Sequence, residues 1–410
     1  MQRYEKYKDS DVDWIGEIPE HWECKRLGTW FTERREKVSD KDYAPLSVTK
    51  NGVVPQLDNA AKSNDGDNRK LVKEGDFVIN SRSDRKGSSG LSILDGSVSL
   101  INIVMKPRNI NGNFSQYLLK SRAFVEEFYR NGHGIVADLW TTRFDEMKFI
   151  NISVPQIEEQ QTIASFLDDK TVKIDQTIAN RQKEIELLKE RRQILIQKAV
   201  TKGLDDTVKL RDSGVDWIGE IPEHWEVRKL KYVLTMRNEK TESKSTDKIY
   251  VGMENIESQT GKYLLTDSQV EGLASVFYKD DILFGKLRPY LAKVYLSEFD
   301  GICSTEFLVY KSSNASYYQR VLLSDIFIKL VDSSTYGAKM PRASADFINN
   351  ISIPTPPEQE QTKIVFHLNT IEEKIAKAIL LKQQEIEKLR EYKTVLIDHV
   401  VTGKVRVSLA

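Results

Sequence analysis

The chain has 410 residues, of which 40% are hydrophobic and 30% are charged. This length predicts two to four domains, and the hydrophobic fraction is sufficient to form their cores. Lys and Arg total 61 and Asp and Glu total 61, so the overall charge does not by itself indicate a nucleic-acid-binding protein. No apolar run approaches the roughly 20 residues that span a bilayer, and the polar start resembles no signal peptide. Cys24 and Cys303 match no metal spacing, and we expect reduced thiols in a cytoplasmic protein.

The first predicted element is a short acidic segment, residues 9–23, which we name collar 1. Its sequence, DSDVDWIGEIPEHWE, returns at residues 212–226 (collar 2) with Gly214 in place of Asp11 as the one difference. So long a match indicates an internal duplication, and its period of about 200 residues is too long for a solenoid. Residues 1–23 carry 3 basic and 7 acidic side chains, and residues 204–226 carry 2 and 7.

The first body, residues 24–156, is mildly basic, with 21 basic and 16 acidic side chains. Short apolar runs separated by Gly, Asp and Asn predict the strands of a twisted sheet, together with a helix over 114–130. A loop of small residues over 80–90 contains three cations, and 132–134 with 141–143 form a second candidate loop region. The expected class is α/β.

A long helical segment follows at 157–203 and has a copy within 357–410. Apolar residues recur at alternating steps of three and four in both copies, which is typical of a coiled-coil seam. The seam residues are Leu167, Ile174, Ile178, Ile185, Leu188, Leu195 and Ala199, matched by Leu368, Ile375, Ile379, Ile386, Leu389, Leu396 and Val400. The pattern favours mutual antiparallel packing of the two helices. The alternative is two separate amphipathic helices, each lying on its own body. A break near the start of each helix is a further expectation, based on the acidic pairs Asp168–Asp169 and Glu372–Glu373.

The second body, residues 227–356, carries 17 basic and 15 acidic side chains and a predicted helix over 315–330. Its sequence aligns poorly with the first body, although its loops at 285–290 and 336–342 occupy comparable places. Each loop alone is typical of an ordinary surface turn. Four of them, rich in glycine and cations and placed in parallel, favour contacts with DNA phosphates and base edges.

Signatures of catalysis are missing from the sequence. The five histidines form no paired metal motif, no phosphate-binding loop of an ATPase occurs, and no amino-methyltransferase signature is present. We therefore expect no catalytic residues, no metal site and no cofactor in this chain.

The repeated motifs resemble those of the specificity subunits of type I restriction-modification systems. The resemblance rests on Val12 to Trp22 and Val215 to Trp225, on Glu-Gln-Gln-Thr at 159–162, on Val-Thr-Gly-Lys at 401–404, and on Ser304 to Phe307 with Lys339 to Arg342. It covers essentially the whole chain. His367 departs from the first copy, which has Phe166 at that place.

The resemblance implies two target-recognition domains, at 1–156 and 204–356, with a central spacer helix at 157–203 and a distal one at 357–410. It implies an α+β or α/β fold with an antiparallel two-helix coiled coil and a pseudo-two-fold repeat. Each recognition domain would bind one half of a split double-stranded DNA target, and the helices would set the unspecified gap. Two methyltransferase subunits would use S-adenosylmethionine to methylate an adenine in each half. Two motor-nuclease subunits, where present, would use ATP and Mg²⁺.

Candidate contacts follow from the loops and the collars. The predicted DNA contacts are Asn80, Arg82, Arg85, Lys86, Ser88, Ser89, His133, Arg143, Lys286, Arg288, Tyr290, Lys293, Lys339 and Arg342. The predicted partner contacts are Trp14, Glu17, His21, Trp22, Trp217, Glu220, His224 and Trp225, although packing of the Trp residues against the bodies is an alternative. Two other functions remain open: a free-standing DNA-binding regulator with two recognition domains, and a coiled-coil scaffold without a role on DNA.

Overall fold

The computed structural model describes residues 2–58, 66–134, 140–266, 272–337 and 339–408. It divides into two compact units. Unit 1 comprises Met1–Arg181 and Gln384–Ala410, and unit 2 comprises Gln182–Gln383. The long helices belong partly to each unit, so this division by contacts differs from the predicted division by chain order.

Over its described residues, unit 1 begins with a collar hairpin and continues into short strands and four helices that precede the long one. Its strands are β1 (Tyr7–Asp9), β2 (Glu17–Pro19), β3 (Glu23–Arg26), β4 (Phe31–Glu33), β5 (Lys37–Val38), β6 (Leu46–Thr49), β7 (Gly52–Pro55), β8 (Arg69–Val72), β9 (Phe77–Asn80), β10 (Ser89–Leu91), β11 (Gly96–Val98), β12 (Asn102–Pro107) and β13 (Asn151–Val154). Its helices are α1 (Leu27–Trp30), α2 (Gly112–Lys120), α3 (Arg122–Arg130) and α4 (Phe144–Met147), and the long helix α5 (Ile157–Lys202) begins in it.

Unit 2 repeats this plan. Its strands are β14 (Leu210–Asp212), β15 (Glu220–Pro222), β16 (Glu226–Lys229), β17 (Thr235–Arg237), β18 (Lys240–Glu242), β19 (Tyr250–Val251), β20 (Leu273–Phe277), β21 (Ile282–Gly285), β22 (Val294–Leu296), β23 (Gly301–Ser304), β24 (Phe307–Lys311) and β25 (Ser352–Thr355). Its helices are α6 (Ala315–Leu323), α7 (Asp325–Ser333) and α8 (Ala345–Asn350), and the long helix α9 (Glu358–Val401) begins in it.

The two bodies share one sheet topology despite their dissimilar sequences. The main sheet has the order β10-β9-β12-β4 in unit 1 and β22-β21-β24-β17 in unit 2, with antiparallel pairs throughout. The second sheet has the order β11-β8-β5 in unit 1 and β19-β23-β20-β18 in unit 2. The parallel pair of β19 and β23 corresponds to a parallel bridge between Pro45 and Ser97 in unit 1.

Strands β9 and β21, which lie in the interior of the two main sheets, are buried on both faces. In β9, Phe77 and Ile79 belong to the large core that contains helices α2 and α3, whereas Val78 points into a smaller core on the other face. In β21, Ile282 and Phe284 belong to the corresponding large core and Leu283 to the smaller one. Because successive side chains of a strand alternate between faces, a continuous apolar run fits this sandwiched position. A strand that is buried on both faces therefore leads into the first candidate loop of each unit.

The predicted seam packs the two long helices together within each unit. In unit 1, Leu167 and Ile174 of α5 share a core with Leu396 and Val400 of α9. In unit 2, Ala199 from the end of α5 shares a core with Leu368 from the start of α9. The start of one helix thus meets the end of the other, which is the antiparallel arrangement. Mutual packing is confirmed, and the alternative of helices lying separately on their own bodies is excluded.

Two details of the predicted helices are wrong. Helices α5 and α9 continue without a break through Asp168–Asp169 and Glu372–Glu373. By contrast, the predicted helices 114–130 and 315–330 are each a pair of helices, divided at Ser121 and Ser324. The backbone leaves the helical conformation at both serines, with ψ values of 147° at Ser121 and 137° at Ser324. The Ser121 hydroxyl is the N-cap of α3 and accepts a hydrogen bond from the Phe124 amide.

Each collar packs against the end of a long helix. Gly203 ends α5 with a φ of +76°, and an added Cβ there would lie 3.2 Å from Trp225. Gly403 follows α9 with a φ of +74°, and its Cβ would lie 2.5 Å from Pro19 Cδ and 3.2 Å from Trp22. The left-handed conformation after a helix favours glycine. In unit 1 the contact joins distant parts of the chain, since the Lys404 ammonium donates to the Ile15 and Glu17 carbonyls at 2.8 and 2.6 Å.

Candidate nucleic-acid interface

The two predicted loop regions of unit 1 lie side by side, and we name them together site 1. They are residues 81–89, which follow β9, and the described residues of 132–143, which follow α3. Thr141 forms bridges to both Arg82 and His133, and the Thr142 amide donates to the Ser81 carbonyl at 3.0 Å. The loops therefore form one surface.

Unit 2 repeats this arrangement in site 2, which comprises residues 286–291 and the described residues of 335–342. Ala338, within the predicted loop 336–342, lies outside the described residues. Arg342 forms bridges to both Leu287 and Tyr336, and the Ala343 amide donates to the Lys286 carbonyl at 3.0 Å.

The backbone hydrogen bonds make the two sites equivalent position by position. Thr141 corresponds to Arg342, since each is the middle member of three bridged segments. Ile101 corresponds to Glu306. The backbone carbonyl of Ile101 accepts a hydrogen bond from the Ser81 amide at 3.2 Å, and that of Glu306 accepts one from the Lys286 amide at 3.0 Å. The scaffold is shared while the side chains differ, as expected of two modules that bind different sequences.

Most predicted cations of site 1 lie at the surface. Arg82, Arg85, Lys86, Arg143 and the imidazole of His133 are exposed. The Lys86 ammonium lies 2.6 Å from a Glu126 carboxylate oxygen.

Three residues predicted as DNA contacts in unit 1 are instead buried. Asn80, Ser88 and Ser89 are 6%, 5% and 0% exposed. The Asn80 side-chain oxygen accepts from the Arg82 amide at 3.0 Å, and the Asn80 amide donates to the Ser88 carbonyl at 2.9 Å. The side chains of these three residues are covered by unit 1 and do not face solvent, which contradicts their predicted contact with DNA.

In site 2, Arg288, Tyr290 and Lys339 are exposed and Lys286 is partly exposed. Arg288 adopts a left-handed φ of +49°, and its amide donates to the Pro341 carbonyl at 2.7 Å, which connects the two loops.

Lys293 is partly buried and makes a hydrogen bond within unit 2. Its ammonium donates to the Met253 carbonyl at 2.5 Å, and burial lowers the pKa of this side chain. The ammonium is thus engaged within unit 2, and the DNA contact of Lys293 stays a prediction.

No local sequence pattern indicates the acidic partner of Arg342. The guanidinium Nε and Nη2 donate to the two carboxylate oxygens of Glu306 at 3.1 and 2.9 Å. This hydrogen-bonded carboxylate raises the pKa of Arg342. Glu306 lies within the family-like stretch Ser304 to Phe307, but its pairing with Arg342 spans 36 positions and has no local sequence signal.

Exposed apolar side chains adjoin both sites and are not among the predicted contacts, although Tyr336 and Met340 lie in the predicted loop 336–342. In unit 1, Leu100 and Ile101 are 43% and 37% exposed. In unit 2, Tyr336 and Met340 are 65% and 50% exposed. Apolar side chains beside cations can contact thymine methyl groups or base faces.

The collars divide into buried and exposed faces. Trp22 and Trp225 are 0% and 1% exposed, so their predicted role as partner contacts is wrong and the alternative of packing holds. Trp14 and Trp217 are partly buried against the core, with ring centroids 6.3 Å from Phe124 and 5.9 Å from Phe327.

Each collar also holds the first turn of a long helix through a histidine. His21 Nε2 lies 2.8 Å from the Glu159 carboxylate at the start of α5, and His224 Nε2 lies 2.6 Å from Glu360 at the start of α9. The predicted partner residues Glu17 and Glu220 are exposed in both collars. The acidic faces remain accessible.

Within the described ranges, no cluster of three His, Cys, Asp or Glu side chains could hold a metal ion. Across the same ranges, no helix has the length and apolar character required to cross a bilayer.

Comparisons with known proteins agree with this duplicated architecture. The family model of the type I restriction modification DNA specificity domain matches residues 19–187 and again residues 222–389. The chain is 25% identical to the type I restriction enzyme MjaVIII specificity subunit of Methanocaldococcus jannaschii, over 99% of this chain and 98% of that protein. It is 24% identical to the EcoDI specificity subunit of Escherichia coli, over 67% and 68%.

Solved structures show the same fold. A chain from a study of complex assembly and conformational transition of the type I R-M system superposes with a TM-score of 0.72 at 13% identity, covering 95% of this chain and 99% of that one. The HsdS subunit from Thermoanaerobacter tengcongensis superposes with a TM-score of 0.56 at 14% identity, covering 95% and 98%.

Because the two matches of the family model together cover most of the chain, this protein belongs to the type I restriction-modification DNA specificity family and carries two copies of its domain.

Proposed function

We propose that the chain is the non-catalytic DNA-recognition subunit of a type I restriction-modification complex in the cytoplasm, with sites 1 and 2 each binding one half of a bipartite target. The observation that carries the proposal is the equivalence of the two sites. One backbone scaffold, with Thr141 and Arg342 at its centre, presents different side chains in each unit. Exposed Arg and Lys supply phosphate contacts, and base-edge contacts from the loops provide sequence preference.

We also propose that two identical methyltransferase subunits bind the collars. The collars keep nearly the same sequence while the bodies have diverged, and their acids Glu17 and Glu220 are exposed. Packing of the core does not explain why an exposed acid is the same in both collars, because such a side chain is not part of the core. Two copies of one partner explain it, since each copy would bind the same surface on one collar. S-adenosylmethionine would bind in the methyltransferase, and ATP with Mg²⁺ would bind in motor-nuclease subunits where these are present.

Mapping of methylated adenines in DNA treated with the complex of this chain and its methyltransferase tests DNA recognition. We expect a bipartite motif. Arg82→Ala should relax one half-site and Arg288→Ala the other, because each removes an exposed cation from one site only. Lys106→Ala and Lys311→Ala are matched controls, since these exposed lysines occupy corresponding positions in β12 and β24, at the ends away from the loops.

Three outcomes would contradict this function. Relaxation of both half-sites by one substitution would contradict the model of two independent sites. Tight, site-specific binding by the chain without a methyltransferase would instead favour a free-standing regulator, and binding without salt dependence would exclude a contact with phosphates.

Native mass spectrometry tests the collars. Glu17→Lys or Glu220→Lys alone should leave one methyltransferase bound, and both together should leave none. Glu74→Lys makes the same charge change at an exposed position outside the collars and should leave two bound. Two bound subunits in the double variant would exclude the collars as the docking surface.

A further inference from the structure

Arg342 is fixed at the centre of site 2 through its backbone. Its amide donates to the Tyr336 carbonyl at 3.1 Å, and its carbonyl accepts from the Tyr336 amide at 3.2 Å. On its other side it is bridged to Leu287. With both neighbours bonded, the direction in which its side chain leaves the loop is set.

Glu306 then orients the guanidinium. Its two carboxylate oxygens accept from Nε and Nη2, so the carboxylate occupies one edge of the planar group. Glu306 is itself held, since its amide donates to the Ser304 hydroxyl at 3.2 Å and its carbonyl accepts from Lys286 at 3.0 Å. The Arg342 side chain remains 42% exposed, whereas that of Glu306 is 23% exposed.

A guanidinium has five N–H groups, and Glu306 takes two of them. Across the described ranges the other three have no protein acceptor, and two of them belong to Nη1. The end of an Arg fork donates to guanine O6 and N7 in the major groove, which is the commonest specific contact between a protein and a base. A fork already oriented by a carboxylate loses less rotational freedom when it binds.

Unit 1 shows that the ion pair is not needed to build the loops. The corresponding positions are Thr141 and Ile101, yet the backbone bridges and the carbonyl contact of Ile101 are the same. The two units therefore share one scaffold but present different side chains to a ligand: an Arg–Glu pair in unit 2 and a Thr–Ile pair in unit 1.

We propose that Arg342 recognises a guanine in the half-site bound by unit 2 and that Glu306 is the positioning residue for this contact. The inference rests on the proposed function and adds to it one base and the residue pair that selects it.

The experiment determines the methylated motif with the complete complex of this chain and its methyltransferase, for wild type, Arg342→Lys, Glu306→Gln and the control Lys311→Ala. The wild-type half-site that responds to Arg288→Ala should contain an obligatory guanine. Arg342→Lys keeps the charge but removes the fork, and it should reduce the preference for that guanine about tenfold or more. Glu306→Gln should reduce the same preference while leaving salt-dependent binding to unrelated DNA unchanged. Lys311→Ala should keep the motif intact.

Three results separate the possible failures. A half-site without a guanine, or an unchanged preference in both Arg342→Lys and Glu306→Gln, would overturn the inference while leaving the bipartite function in place. A lower melting temperature in Glu306→Gln with an unchanged motif would also overturn it, because the pair would then only stabilise the loops. The absence of any bipartite motif in the wild type would remove the proposed function itself.

Discussion

The glycines at the ends of the long helices allow a comparison of two matched substitutions. Gly203 and Gly403 have φ values of +76° and +74°, so alanine meets the same backbone strain at both positions. That strain costs about 1–2 kcal/mol for an L-residue, and the entropic gain from replacing glycine is also the same at both. The contacts of the new methyl group differ.

At Gly403 the added Cβ would lie 2.5 Å from Pro19 Cδ, whereas at Gly203 its nearest neighbour is Trp225 at 3.2 Å. A contact of 2.5 Å with a rigid proline ring forces the collar to shift, at a further cost of about 1–3 kcal/mol. Gly403→Ala should therefore lower the free energy of unfolding of unit 1 by about 2–5 kcal/mol. Gly203→Ala should lower that of unit 2 by about 1–2 kcal/mol.

Hydrogen–deuterium exchange at moderate urea concentrations resolves the two units separately, by comparing peptides from collar 1 with peptides from collar 2. Faster exchange in collar 1 of Gly403→Ala, beyond the change in collar 2 of Gly203→Ala, is the expected result. Equal changes, or a larger one for Gly203→Ala, would refute the argument, because only the contact with Pro19 distinguishes the two sites.

Three further predictions concern the cores and the helices. Arg237→Met should lower the free energy of unfolding of unit 2 by roughly 3–5 kcal/mol in urea titrations, because it leaves the carboxylate of Asp281, whose side chain is 2% exposed, without its cation; a loss below 1 kcal/mol would contradict this. Burial disfavours the thiolate of Cys303 and raises the pKa of this thiol to about 12. Iodoacetamide at pH 9 should therefore label Cys303 in urea but not in the native protein, as read by mass spectrometry. The free energy of unfolding should fall above pH 9, because the thiol ionises in the unfolded chain but not in the folded one. We expect a longer gap in the methylated motif when one heptad is inserted within 178–190 of α5 and another in the matching part of α9. Each insertion adds about 10 Å of helix, which corresponds to about three base pairs of DNA. An unchanged gap would exclude the helices as the spacer.

The helices and collars could be predicted from the sequence because their signals are local or repeated. The seam from Leu167 to Ala199 follows a fixed period, and its copy carries the same period. The acidic pair Asp168–Asp169 did not interrupt α5, since charged residues are tolerated on the solvent-exposed side of a helix that packs along a seam. Periodicity was a better guide than local charge.

The sites were only partly predictable. The loops were located from glycines and cations, but this composition does not show which small residues of a loop are buried, as Ser88 and Ser89 are. The pairing of Arg342 with Glu306 depends on how β24 and the last loop meet. Such long-range contacts are set by the sheet order, which a single sequence of short apolar runs does not determine.

The contact of Lys404 with collar 1 has a consequence for the order in which the chain folds during synthesis. Unit 2 is one continuous stretch, residues 182–383, whereas unit 1 lacks the end of α9 and Gly403 until residues 384–410 have been made. At 5–20 residues per second, the ribosome needs roughly 10–40 s to add the stretch between the two parts of unit 1. The half of the protein that is made first is therefore the last to be completed, and its unfinished core must stay exposed, or be shielded by a chaperone, for that interval.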